Sequence, residues 1–330
     1  MNETAPVVDI QISDSIRRMM TSLEEELAGV IVGQRTIVRG VLTGLLAGGN
    51  VLLEGVPGLG KTLLVRTLAE CMNLTYSRIQ FTPDLMPSDI VGTDVIMEGG
   101  DGQSRGFTFN RGPIFANLIL ADEINRATPR TQSAMLEAMQ EFSVTVGRQT
   151  HRLPQPFFVL ATQNPIDLQG TYPLPEAQLD RFFFKLIVDY PSVEELKEIA
   201  RRTTGRAEKR ASVVISADQL LDLQAVVRDV PVAEPVLDYA ARLVMATHPD
   251  VGATIARKLV RYGASPRAIQ ALVLAGKVNA IMSGRYNVSY EDLRRVVLPA
   301  LRHRLVLNVE AQLQNIDTDA VLNQILAEVK

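Results

Sequence analysis

The sequence predicts an α/β domain built on a buried parallel sheet, followed by an all-helical domain. Three observations carry this. Between residues 50 and 190 short apolar runs alternate with helical patterns, as in a sheet covered by helices on both faces. The first of these runs leads straight into a glycine-rich loop and then a helix, residues 51–72. After Tyr190-Pro191 the strand-like runs stop and the chain reads as helix. The expected domains are therefore residues 1–191 and 192–330.

Taken in order, a first helix is expected from about Ser13 to Leu27, where Ile16, Met19, Met20, Leu23 and Leu27 recur at helical spacing. A second covers about Thr36 to Ala47 and stops at Gly48-Gly49. The expected strands are Val51-Leu52-Leu53, Ser77 to Phe81, Leu118-Ile119-Leu120, Phe157 to Ala161, and Phe183 to Val188. Helices from Thr62 to Met72 and Arg130 to Gln140 fall between them. Beyond Pro191, Ser192-Val193-Glu194-Glu195 has the spacing of a capping box, in which the serine caps the helix and the glutamate reaches back. Helices are expected over about Glu194–Arg202, Ala217–Val227, Glu234–Thr247, Arg267–Met282 and Glu291–Leu305, with a polar connector over Thr203–Arg210.

Composition narrows the function classes. With 330 residues, 46% hydrophobic and 22% charged, the chain has material for a large domain and a smaller one. Its 34 basic and 37 acidic residues give a net charge of -3, which is no footprint for general nucleic-acid binding. The single cysteine, Cys71, allows no internal disulfide, and His151, His248 and His303 stand in no metal-ligand spacing. No apolar run approaches the roughly 18 residues of a membrane span, and Met1 to Ile10 lack a signal-peptide pattern. A cytoplasmic location is the expectation.

The chemistry is concentrated in three segments. Gly55-Val56-Pro57-Gly58-Leu59-Gly60-Lys61-Thr62 matches the phosphate-loop pattern in full and lies between a strand and a helix. Glycines there let successive backbone N–H groups turn toward an anion, and the following helix adds its positive end. Lys61 is placed to reach the β and γ phosphates of ATP, and the Thr62 hydroxyl to ligate Mg²⁺. Leu118-Ile119-Leu120-Ala121 then runs into Asp122 and Glu123. Two carboxylates at a buried strand end are costly without a cation or polar partners. Asp122 suits the metal's water shell and Glu123 the attacking water. The strand Phe157–Ala161 ends in Thr162-Gln163-Asn164-Pro165. There a polar amide can meet both γ-phosphate and water; Asn164 is preferred to Thr162 and Gln163, with a plain turn cap as the alternative.

These residues resemble the AAA+ superfamily and, within it, the MoxR ATPases. The resemblance runs over nearly the whole chain. It is closest in Phe81-Thr82-Pro83-Asp84-Leu85-Met86-Pro87-Ser88-Asp89, Asp122-Glu123-Ile124-Asn125-Arg126, Gln163-Asn164-Pro165 and Leu179-Asp180-Arg181-Phe182. It implies a P-loop NTPase core with a five-stranded sheet ordered 5-1-4-3-2, a helical lid, and assembly into a ring oligomer, a hexamer. It also implies a first sensor at Asn164 and an arginine finger at Arg181 that acts in trans on the neighbouring subunit's ATP. A second sensor follows at Arg267 within Gly263-Ala264-Ser265-Pro266-Arg267, and a segment near the adenine at Val32-Gly33-Gln34, with Leu63 following the loop. Arg126 is a further candidate for contact across subunits, against an ordinary loop role. By analogy of architecture, hairpins at Asp94–Asn110, around the turn Gly99-Gly100-Asp101-Gly102, and at Phe142–Arg152 line a pore; passive surface hairpins are the alternative.

The resemblance implies ATP-driven, chaperone-like remodelling or maturation of client proteins, with partners that carry a von Willebrand factor A domain. The alternatives are a nucleic-acid-remodelling motor, a nucleotide-gated scaffold with little hydrolysis, and a metal-chelatase motor subunit. The net charge and the absence of tryptophan speak against the first, and Glu123 against the second.

Overall fold

The computed structural model describes residues 5–97, 106–165, 170–205 and 210–329. Helices α1 (Ala5–Val30) and α2 (Arg35–Leu46) precede strand β1 (Val51–Glu54). There follow α3 (Lys61–Cys71), β2 (Tyr76–Gln80), α4 (Pro87–Val91), the antiparallel pair β3 (Gly92–Met97) and β4 (Gly106–Arg111), and β5 (Leu118–Asp122). Next come α5 (Pro129–Glu141), the hairpin of β6 (Ser143–Val146) and β7 (Gln149–Arg152), β8 (Phe158–Gln163), α6 (Glu176–Leu179) and β9 (Phe184–Ile187).

The five-stranded sheet runs β2-β5-β8-β1-β9, every pair parallel. With its strands counted along the chain, that is the expected order 5-1-4-3-2. Alternation explains why it is buried on both sides. Val51, Leu53, Leu118, Leu120, Phe158 and Leu160 face one apolar cluster. Leu52, Ile119, Ala121, Val159 and Ala161 face the other, as the two-residue period of a strand requires. Both hairpins form where expected, although the turn Gly99-Gly100-Asp101-Gly102 lies outside the described residues.

The second half comprises α7 (Val193–Thr203), α8 (Ala217–Asp229), α9 (Glu234–Met245), α10 (Thr254–Leu259), β10 (Val260–Tyr262), α11 (Pro266–Met282), α12 (Tyr290–Arg294), α13 (Val297–Leu301), β11 (Val306–Leu307), α14 (Val309–Leu313) and α15 (Thr318–Glu328). The capping box at Ser192 and Glu195 is formed as expected. Residues 206–209 of the expected connector lie outside the described residues.

Two expectations need correction. The second half is not purely helical, because β10 and β11 form an antiparallel ribbon. Nor is Glu291–Leu305 one helix: it breaks between α12 and α13. Pro299 has no N–H to donate to the carbonyl four residues back, so a single helix cannot run through Arg295 and Pro299. Apolar side chains of this half join those of α1, α2 and α3 in one cluster. Among the described residues no helix is long and apolar enough to cross a membrane.

Candidate nucleotide site

Register brings the site together. Gln80 pairs with Asp122 across β2 and β5, and Glu54 with Gln163 across β1 and β8. The carboxyl ends of four parallel strands thus share one edge, where open α/β sheets place ligands. The phosphate loop leaves β1 at that edge. Gly58 and Gly60 hold φ of +85° and +76°, and a Cβ on either would meet nothing within 4 Å. The glycines are there for left-handed backbone, and the space above them is open to an anion.

A cleft of about 230 Å³ is lined by Gly55, Pro57–Thr62, Arg78, Gln80, Asp122, Glu123, Thr162 and Asn164. The Lys61 ammonium donates to the Gly55 carbonyl. Burial pushes its pKa below the ordinary lysine value, opposed by Asp122, Glu123 and Glu54. A partly desolvated cation facing an open amide cradle suits a polyphosphate.

The two acids are held by neighbours. Thr162 Oγ1 donates to Asp122 Oδ1 at 2.6 Å and accepts the Glu123 N–H at 2.8 Å. Arg78 reaches Asp122 Oδ2 with Nη2 at 2.7 Å and Nε at 3.1 Å. Glu123 sits in left-handed backbone at φ 57°; its Oε2 accepts from Gln80 Nε2 at 2.8 Å and pairs with Arg126 Nε at 3.2 Å. Asn164 is buried and lines the cleft beside Thr162, whereas Gln163 uses its carbonyl to accept the Gly55 N–H.

The donor set fits magnesium bound through phosphate. Thr62 and Asp122 offer hard oxygens, the kind Mg²⁺ takes in ones and twos alongside phosphate and water. Among the described residues no cluster of three or more His, Cys, Asp or Glu could hold a metal by itself.

A second cavity, about 440 Å³ and largely apolar, adjoins the loop. Val32, Gln34, Leu59, Leu63, Tyr190, Leu196, Ile199 and Arg202 are among its walls. Its position beside Pro57–Gly60 suits a base whose phosphates lie on the loop. Gln34 Nε2 donates to the Leu59 carbonyl at 2.9 Å and ties the two segments together.

Three expected site residues are placed differently. Gly33 does not line this cavity; at φ +66° it turns the chain so that Val32 does, and a Cβ there would strike Glu195. Val56 lines neither space and packs on the core instead. Arg267 is not in the phosphate cleft of its own chain. It lies in the first turn of α11, where its N–H donates to the capping Ser265 Oγ at 3.2 Å, and its guanidinium pairs with Asp180 at 3.1 Å, the residue before Arg181. Arg181 is likewise outside the cleft, half-buried, and among the described residues nothing accepts from its guanidinium.

Thr162, ranked below Asn164 from the sequence, proves to hold both acids, while Arg78 and Gln80 are the functional neighbours that motif reading passes over. An alternation of polar residues at the end of an apolar strand, as in Ser77-Arg78-Ile79-Gln80, is their faint signal.

Comparison with known proteins agrees with this geometry. Residues 50–184 match the ATPase family associated with various cellular activities (AAA), and residues 252–325 match the AAA lid domain. The chaperone MoxR1 of Mycobacterium tuberculosis is 45% identical over 306 residues, 92% of this chain and 80% of that one. Protein MoxR of Paracoccus denitrificans is 33% identical, covering 91% of this chain and 92% of that one. The crystal structure of a candidate ATPase from Cytophaga hutchinsonii superposes with a TM-score of 0.89 at 40% identity, over 96% of both chains. With that identity sustained along nearly its whole length, and the phosphate loop, acid pair and lid all in place, this protein belongs to the MoxR family of AAA ATPases.

Proposed function

We propose that the protein binds Mg-ATP in this cleft, hydrolyses it at contacts between protomers of a ring, and uses the cycle to remodel client proteins. One observation carries the reading: the cleft gathers the cradle, Lys61, both acids and Asn164, yet neither expected arginine, Arg181 or Arg267, lines it. A protomer on its own has a binding site without its transition-state cation. That is the pattern expected if Arg181 serves the neighbour's ATP rather than its own.

In this reading the amides of Gly58–Thr62 and Lys61 bind the phosphates, while Val32, Leu63 and the α7 side chains enclose the base. Thr62 and Asp122 hold the metal, which when bound screens phosphate charge. Thr162 fixes Asp122 and the Glu123 backbone in register. Glu123 orients the attacking water and takes up its proton, once its carboxylate leaves Gln80 and Arg126. Asn164 meets the γ-phosphate. Arg181 of the adjoining protomer neutralises charge as the terminal phosphate departs, a contribution of about 10³ to 10⁵ in rate for arginine fingers.

Client remodelling is supported by the Mycobacterium relative, which is named a chaperone. A hexameric ring, partners with a von Willebrand factor A domain and a cytoplasmic location belong to the same proposal. Turnover per protomer, measured across a dilution series with sedimentation of the same samples, tests it. The expected result is turnover that rises with assembly. Equal turnover from dilute monomer and assembled protein would refute the trans site.

A further inference from the structure

We infer that Asp180 is a positioning residue for Arg181, fixed by a clasp of lid side chains so that the arginine moves with the lid. The inference rests on the trans role proposed above and assigns what controls it.

Asp180 directly precedes Arg181, and its carboxylate is taken up wholly by the lid. Ser265 Oγ donates to both oxygens at 2.8 Å, Arg267 Nη1 to Oδ2 at 3.1 Å, and Arg304 Nε to Oδ1 at 3.0 Å. Arg304 also donates to the backbone carbonyls of Asp180 at 3.3 Å, Phe182 at 2.7 Å and Phe183 at 3.2 Å. The His303 ring Nε2 meets the Phe182 carbonyl at 3.0 Å, and Arg302 Nη1 meets that of Lys185 at 3.4 Å. Three successive lid side chains therefore hold the main chain on both sides of Arg181.

These bonds do more than bury charge. The Arg304 side chain is 3% exposed, and burial lowers its pKa to about 10 against the pull of Asp180. A buried ion pair is weak evidence for stability, and well-packed apolar groups would often hold two segments as firmly. What directional bonds add is one defined orientation. Packing does not supply it here, because a cavity of about 460 Å³ lies against Asp180, Ser265, His303 and Arg304. The same lid supplies α7 to the base cavity through Leu196, Ile199 and Arg202. A shift of the lid driven by a protomer's own nucleotide would carry Arg181 with it. The clasp thus links one ATP site to the next.

The test is a double-mutant cycle on the assembled protein, with turnover at saturating Mg-ATP and affinity for a fluorescent ATP analogue as readouts. Asp180→Asn is expected to lower turnover about 10- to 100-fold, the usual effect of a misplaced catalytic group, with nucleotide affinity unchanged. Combined with Arg181→Ala it should lower turnover no further than Arg181→Ala alone, since it acts only through that arginine. Ser265→Ala leaves Arg304 paired; it should show a smaller loss with the same non-additivity, and it carries the test if Asp180→Asn fails to fold. Losses that multiply in the double variant, or a parallel loss of nucleotide affinity, would overturn the clasp while leaving the trans arginine standing. Undiminished turnover in Arg181→Ala would overturn the trans reading, and the clasp with it.

Discussion

Replacing Thr162 with valine removes one hydroxyl from the centre of the site and leaves its shape intact. Thr162 is 1% exposed, donates to Asp122 and accepts from the Glu123 N–H. Valine therefore takes the acceptor from the part-buried Glu123 N–H, a loss of about 1 to 3 kcal/mol with the lower end fitting partial burial, and deletes a hydrogen bond to a carboxylate worth about 1.5 to 3 kcal/mol. Asp122 keeps Arg78 as a partner, so we place the total near the lower end, about 3 kcal/mol. Thr162→Ser keeps the hydroxyl and gives up one methyl, about 1 kcal/mol. Urea unfolding followed by circular dichroism should separate the two by about 2 kcal/mol. Turnover should fall much further in the valine variant, because Glu123 loses its backbone anchor. If valine were as stable as serine, the Thr162 hydroxyl would not be what holds Asp122 and Glu123 in place.

Other outcomes follow from the same geometry. Glu123→Gln should keep ATP affinity while turnover collapses, whereas Lys61→Ala should weaken binding itself; calorimetry beside a phosphate-release assay distinguishes them. Ile199→Asp puts a carboxylate into the base cavity and should weaken ATP binding at least about tenfold, with unchanged affinity ruling out that cavity as the base site. Burial, then Arg304, push the His303 pKa well below its ordinary 6.5, so the folded ring is neutral. In the unfolded chain it protonates near pH 6.5. Its contribution is therefore complete above that pH and is lost as pH falls, about 1.4 kcal/mol for each unit below it. His303→Gln should flatten this part of a stability profile measured between pH 7.5 and 5.

The parts of the site that could be read from sequence are those whose chemistry is local. The loop from Gly55 to Thr62 needs its glycines for left-handed backbone and its lysine within one turn, so adjacency in the chain is adjacency in space. Asp122, Glu123 and Asn164 were legible because each ends an apolar strand, and parallel strands share their carboxyl edge. Arg78 and Gln80 were not, since their partners lie more than forty residues on and only the β2–β5 register joins them. Gly33 was assigned to the base cavity from its place in a motif, while the structure uses it to turn the chain toward Val32. The role of Arg267 depended on where α11 points, which tertiary packing decides. The β10–β11 ribbon is only three and two residues long, too short to leave a period. Arg302, His303 and Arg304 fall inside the expected helix Glu291–Leu305 with no local signal of a partner, and their hydrogen-bond partners Lys185, Phe182 and Asp180 lie more than a hundred positions away.

If each ATP is cleaved with an arginine from the next protomer, two crippled proteins should repair each other when mixed. Glu123→Gln retains Arg181, and Arg181→Ala retains Glu123; each alone should turn over ATP very slowly. In an equal mixture allowed to exchange subunits, roughly a quarter of contacts unite an intact Glu123 with an intact neighbouring Arg181. Activity should recover toward that fraction of the unmodified protein. A mixture no more active than its separate components, with exchange verified, would rule out the trans arginine.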